Sequence, residues 1–263
     1  MRALRRWLGV LTIAAVLAGG CVIAGIWQWN RHLARSAAVA AVQANYDAPP
    51  VEIAAVLDPE GPLAPGDVWQ PVSVIGHYLP HATVLLRNRP VTGQPAFQVL
   101  ELFGVEQGEL AGKVLVVNRG WVPVDAPVPA PPGGTTELVV RLRQPEPATD
   151  RDAPPGQVHA IAVEQVLRAS GADLPALPAY GVVVSENAAP GDLAPLPAPP
   201  TDLGPHLSYA FQWWVFALGA VVGAFVLLLR RPGGHPRATG RTTDEEEEDA
   251  LVDAAAPAGS SAR

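Results

Sequence analysis

Two apolar stretches of membrane-spanning length, 8–26 and 211–229, stand near opposite ends of this chain and enclose about 180 polar, proline-rich residues. Each holds no ionisable side chain other than the thiol of Cys21. At a rise of about 1.5 Å per residue, each covers roughly 28 Å of hydrocarbon, enough to cross a bilayer. Trp7, Trp27 and Trp29 bracket the first run, and Trp213 and Trp214 open the second, where amphipathic indoles favour the headgroup region.

Arginine placement sets the expected orientation, because short basic flanks stay on the cytoplasmic side. Arg2, Arg5 and Arg6 precede the first run, and Arg230, Arg231, Arg237 and Arg241 follow the second. Arg31 and Arg35 weaken the first asymmetry without reversing it. The expectation is a multi-pass plasma-membrane protein with both termini cytoplasmic and the central domain outside. Residues 242–263 carry seven acids and one arginine, a net of −6 out of the formal −7, so the remainder is nearly neutral. Such a segment cannot bury enough apolar surface to order itself and is expected to be a disordered cytoplasmic tail. Lysine occurs once, at Lys113, against seventeen arginines, which suggests a GC-rich bacterial genome.

Cys21 follows Leu17-Ala18-Gly19-Gly20, which resembles a lipoprotein cleavage site, yet the apolar run continues through Val22, Ile23 and Ile26. That continuation favours a small residue in a Gly-rich helix. Ala15, Gly19 and Ala24 on the first helix, with Gly219 and Gly223 on the second, form small-residue patterns of the kind that lets membrane helices approach closely.

Between the spans the chain reads as mostly strands. Runs at 69–79, 83–88, 97–103, 113–118, 137–143 and 180–185 are β-branched or aromatic and are bounded by Gly, Pro or Asn. Two short helices are expected, 51–57 after Pro49-Pro50 and 163–170 closed by Gly171. The predicted class is therefore a membrane-anchored α+β protein, with two transmembrane helices flanking a β-rich extracytoplasmic domain of about six strands. Its expected divisions are a cytoplasmic start over 1–7, a first transmembrane helix over 8–29, the domain over 30–205, a second transmembrane helix over 206–231, and the tail over 232–263. Gly76, inside a strand pattern, predicts a bulge or a close backbone approach. Gly120 predicts a turn or bulge, Trp121 a cover for the sheet edge, and Arg119 a pairing with either a carboxylate or an anionic ligand group.

Four blocks in order carry a family resemblance. Gly25-Ile26-Trp27-Gln28-Trp29-Asn30-Arg31 is similar to the Gly-x-Trp-Gln-x-x-Arg opening of the Surfeit-locus-one family of cytochrome c oxidase assembly proteins. Val74-Ile75-Gly76-His77-Tyr78 with Leu86-Arg87-Asn88-Arg89 resembles its first strand pair. The stretch from Val114 through Asn118-Arg119-Gly120-Trp121 to Pro123 resembles its most characteristic segment, and His206-Leu207-Ser208-Tyr209-Ala210-Phe211-Gln212-Trp213-Trp214 resembles the entry to its second membrane helix. The resemblance covers about residues 7–231 and leaves out the acidic tail.

His206 is the residue whose chemistry fits a cofactor role. Pro205 before it suits a first helical turn, and helical spacing places His206, Tyr209 and Gln212 or Trp213 along one face. A helix N-terminus disfavours imidazolium, and neutral imidazole is the form that coordinates haem iron. Gln28 and Arg31 stand three apart on the first helix, where a guanidinium suits a haem propionate. An interfacial histidine bonded to headgroups or loop carbonyls is the plainer alternative. The resemblance implies haem a handling, with His206 as iron ligand and Tyr209, Trp213, Gln28 and Arg31 around the cofactor; His32 and His77 are further candidate ligands.

One cysteine inside a span and one methionine at position 1 exclude a copper chaperone, which needs clustered soft or imidazole ligands. No nucleophile elbow, zincin or P-loop pattern occurs, so an enzyme is not expected, and basic residues are not interleaved with aromatics as a nucleic-acid surface requires. The resemblance implies an assembly factor for an aa-type oxidase that binds or presents haem a. Its implied partners are the oxidase catalytic subunit, the haem a synthesis machinery and membrane lipid. The alternative is a cofactor-free membrane scaffold that stabilises an oxidase subunit.

Overall fold

The computed structural model describes residues 2–187 and 193–230, so the acidic tail and Arg231, Arg237 and Arg241 lie outside the described residues. The chain divides into two compact units, one of Met1–Trp27 with Ser208–Arg263 and one of Gln28–Leu207.

In the first unit lie the apolar parts of helices α1 (Arg2–Asn45) and α3 (His206–Leu229), both long and apolar enough to cross a membrane. Their expected glycine contacts are not the close ones. A Cβ built on Gly19, Gly219 or Gly223 meets nothing, and the last two instead line a cavity of about 270 Å³ facing Val10, Ile13 and Leu17. The tight approach is at Gly25, where a Cβ would fall 2.2 Å from the indole nitrogen of Trp214. Two of the family-like blocks thus meet ring against backbone, and only glycine leaves the room. The buried positions of α3 are Ala210, Ala217 and Ala224, seven apart and hence on one face.

The second unit is built on eight strands among the described residues, not six. They are β1 (Val51–Glu52), β2 (Pro71–Tyr78), β3 (Val84–Leu86), β4 (Ala96–Val105), β5 (Val114–Pro123), β6 (Thr136–Arg143), β7 (Gln157–Val158) and β8 (Ala176–Glu186). The six expected strands are β2 to β6 and β8; the two additions hold two residues each. The sheet order is β1-β2-β6-β8-β5-β4-β3-β7, and a further β2–β4 pairing joins β2, β6, β8, β5 and β4 into a closed ring. Closure leaves those five strands without a free edge along the paired stretch and forms a small barrel filled by side chains. At the joint Gly76 pairs with Val105 on one side and Thr136 on the other, and a Cβ there would lie 2.0 Å from the Gly104 carbonyl oxygen. Gly76 is therefore a close backbone approach.

Val72, Val74, Phe103, Leu115, Val117, Leu138, Val140, Leu142 and Leu177 alternate inward along their strands and fill the barrel. On the outside of β4 and β5, Leu100, Leu102, Val114 and Val116 pack against β3, β7 and α2 (Val163–Ser170) through Val166 and Ile161. β4 and β5 are thus covered on both faces, which explains the unbroken Val-Leu-Val-Val run that opens β5. α2 matches its expected span. Gly171 closes it at φ 74°, donating to the Arg168 carbonyl while Ala172 donates to that of Leu167, the paired bonds of a Schellman ending.

The helix expected over 51–57 does not form. Val51 and Glu52 add in parallel to Val72 and Ser73 of β2, and only a single 3₁₀ turn, Ile53–Ala55, follows. A run this short gains little from propagation, and β-branched Val51 finds an open strand edge beside it. Conversely, α1 continues past residue 29 to Asn45. The Ala-rich stretch at 37–44 is strongly helix-forming, Val39 and Val42 are buried, and the helix stops just before Pro49-Pro50.

Candidate functional site

Residues at helical spacing on α1 hold the segment that leads into α3. Gln28, His32 and Arg35 fall four and three residues apart and so share a face. Arg35 donates through Nε to the Asp202 carbonyl at 2.8 Å and through Nη2 to the Pro200 carbonyl at 2.7 Å, and its guanidinium stands 3.5 Å from the Asp202 carboxylate. Farther along, Gly204 takes φ 65°, a left-handed turn that an L side chain would strain, and the chain then enters the helix at His206. His206 Nδ1 lies 2.9 Å from Gln28 Oε1.

That contact has a chemical consequence. An amide oxygen only accepts, so the proton of the neutral imidazole resides on Nδ1 and the Nε2 lone pair is left available. A histidine that ligates metal is commonly oriented in this way, by a hydrogen bond on its other nitrogen. The structure therefore brings together Gln28 and His206 of the five expected site residues. Arg31 is exposed and makes no hydrogen bond or ion pair among the described residues. Tyr209, exposed, and Trp213, whose ring meets that of Phe216 edge-on at 6.0 Å, are residues of α3 that belong to the other unit. Of the further candidate ligands, His77 is occupied by Glu106, with Nδ1 2.7 Å from Oε1, while His32 packs against Trp29 and its buried Nδ1 has no hydrogen-bond partner among the described residues.

Among the described residues no three His, Cys, Asp or Glu side chains gather to hold a metal ion. A bare ion would need such a cluster; an iron already carried by a porphyrin needs only an axial ligand.

The Asn118-Arg119-Gly120-Trp121 block has a structural explanation. The β4–β5 register slips so that Gly120 faces Val99 while Asn118 faces Leu100, which leaves Arg119 as the extra residue of a bulge. Its side chain is turned inward, 1% exposed, and pairs through Nη2 with Glu186 Oε1 at 2.8 Å. Tyr78 donates to the other Glu186 oxygen at 2.9 Å, and Thr83 donates to buried Glu101 at 2.8 Å. Of the two partners open for Arg119, the structure shows the carboxylate. Burial pushes the Glu101 carboxyl up to about 7 despite the Thr83 hydrogen bond and the Arg119 charge, and burial followed by the Glu186 charge raises the Tyr78 hydroxyl. Gly120, at φ 138°, lets the backbone of Ala194 come close, and Trp121 exchanges backbone hydrogen bonds with Ala194 while its indole donates to the Pro195 carbonyl.

Sequence reasoning missed the role of Arg35, which registered only as a charge on the outer side of the first span. It also missed the two buried carboxylates inside the barrel, Glu101 and Glu186. The spacing of Gln28 and Arg35 seven apart was the available signal for the first; nothing local marks the second.

Comparison with known proteins gives a consistent placement. The model of the SURF1 family matches residues 15–218. Uncharacterized SURF1-like proteins of Mycobacterium bovis and Mycobacterium tuberculosis are 31% identical over 228 residues, which span 82% of this chain and 81% of theirs.

Proposed function

Because the chain belongs to the SURF1 family, whose members act generally in cytochrome oxidase assembly, we propose that it holds haem a at the membrane for insertion into the catalytic subunit of an aa-type oxidase. The observation that carries this reading is the Gln28–His206 hydrogen bond, which fixes an imidazole with Nε2 free at the start of α3. His206 supplies the iron ligand, Gln28 holds its tautomer and ring plane, and Arg31, exposed on the same helix as Gln28, meets a propionate. Arg35 fixes the chain that precedes His206, so the ligand is preorganised. Haem a synthesis enzymes are the supplying partner, the oxidase subunit the receiving one, and lipid the surrounding medium.

In this reading the β-domain lies outside the plasma membrane and both termini lie in the cytoplasm. A reporter active only in the cytoplasm, fused after Leu100, stays silent; strong activity there overturns the orientation.

The direct test is to purify the full chain from cells making haem a, then record its absorption spectrum and extract the pigment. A Soret band and extractable haem a are expected, together with loss of assembled oxidase, but not of its apo-subunit, in a deletion strain. Protein that never carries pigment favours the cofactor-free scaffold instead.

Gln28→Leu isolates the orienting bond. It keeps the helix and the side-chain volume but removes the acceptor for Nδ1, so haem a affinity falls about 10- to 100-fold while the ligand itself remains. Unchanged affinity in a haem titration would show that Gln28 does not orient the imidazole.

A further inference from the structure

A cavity of about 630 Å³ within the Gln28–Leu207 unit lies on the outer face of the barrel. Its floor is the outward side of β6 and β8, where Arg141 pairs with Val182 and Arg143 with Tyr180. One wall is the end of α1, with Val39 and Val42, together with Tyr46 just beyond it, and the other is the segment at 195–200, Pro-Leu-Pro-Ala-Pro-Pro. That segment is pinned at its start by Trp121 and at its end by Arg35, and its prolines have no N–H to donate to the strands beneath. It therefore bridges the groove without filling it.

The charge of the lining is one-sided: Arg35, Arg89, Arg141 and Arg143 against Glu146. Both Glu146 oxygens are engaged by the Arg89 fork, and one also accepts the Ile161 N–H. Arg141 is stacked at 3.7 Å over the Tyr46 ring, donates Nε to the Tyr46 carbonyl, and has the exposed Asp47 carboxylate 4.0 Å from its Nη2. Arg143 lies 3.9 Å over the Trp69 ring and 5.9 Å from that of Tyr180, and among the described residues it meets no hydrogen-bond acceptor. Two stacked guanidiniums, two residues apart on one strand face, thus present donors to a cavity with aromatic and valine walls. Stacking holds each fork in a fixed plane, the arrangement that suits bidentate capture of phosphate or carboxylate.

We propose that this groove is a second binding site, for an amphiphilic anion: a phosphate or carboxylate gripped by Arg141 and Arg143, carried on an apolar body that lies along Val39, Val42 and Val182 beneath the proline segment. The volume falls in the range of small-molecule sites and is far larger than a free phosphate needs. The proposal does not rest on haem a handling: Arg35 is shared with the chain that precedes His206, but Arg141 and Arg143, which grip the anion, have no part assigned there.

The test uses the full chain in neutral detergent with two probes that separate the sources of such an anion. Calorimetry with 1-naphthyl phosphate reports a soluble ligand, and native mass spectrometry after exposure to mixed phosphatidylglycerol and phosphatidylcholine reports a lipid. Saturable binding near one per chain is expected for at least one probe, at least tenfold tighter than inorganic phosphate and unchanged by His206→Ala. Arg141→Gln combined with Arg143→Gln lowers that affinity at least tenfold. Should this variant unfold, Val182→Glu decides the matter, because it sets a carboxylate among the arginines from a partly exposed floor position and displaces the anion. Absence of saturable binding by both probes, or affinity indifferent to Val182→Glu, overturns the proposal.

Discussion

His206→Ala removes haem a from the purified protein while leaving the chain inserted and folded. Alanine is the best helix former, so α3 still begins where it does. The substitution deletes an imidazole that is only partly buried, and the Gln28 amide it frees is partly exposed and can turn to water. What it removes is the iron ligand, and with it the coordinate bond on which retention depends. The expected result is loss of the Soret band and at least a hundredfold drop in haem a affinity, read by absorption and pigment extraction. Arg31→Gln has a smaller effect, because one charge-assisted contact contributes about 1.5–3 kcal/mol and the iron ligand stays in place. A His206→Ala protein that copurifies with wild-type amounts of haem a and an unchanged Soret band would remove His206 from the site.

The strands were legible because β-branched runs punctuated by Gly, Pro and Asn leave a local mark. β1 and β7 escaped notice since two residues show no alternation; both form only because a neighbouring edge is there to receive them. The same dependence defeated the expected helix at 51–57, whose first residues are drawn onto β2. Barrel closure was not legible either, although Gly76 carried its trace: a glycine inside a strand signalled close approach, and the partner backbone at Gly104 is known only from the fold. At the site, Gln28 and His206 stood out as members of separate blocks. Their bond joins residues 178 apart and could not be read from either block. Packing of the two apolar helices shows the opposite error, where a glycine pattern at Gly219 and Gly223 suggested contact and the structure opens a cavity.

Arg119→Met is expected to be the most destabilising single change in the β-domain. Glu186, whose side chain is 4% exposed, would keep Tyr78 as its only hydrogen-bond partner among the described residues and lose the charge that compensates it. Breaking a buried pair from one side costs about 3–5 kcal/mol, whereas replacing both members costs far less because no lone charge remains. For a domain of this size that corresponds to a fall of roughly 10 °C in the thermal midpoint, and adding Glu186→Gln should restore more than half of it. The neighbouring Glu101 adds a pH signature. Burial lifts its carboxyl from the ordinary 4.5 to about 7, so between those values the folded protein keeps a proton that the unfolded chain has released. Stability must then fall as pH rises through that window and level off above it, by about 3 kcal/mol from this group. Glu101→Gln, which retains an oxygen for the Thr83 hydroxyl, should abolish the fall and leave the protein more stable than wild type at pH 8. Thermal unfolding of the full chain in neutral detergent at pH 5 and pH 8 measures both effects; a wild-type midpoint that is flat across this range, or an Arg119→Met midpoint within 2 °C of wild type, would mean that water reaches the cluster and screens it.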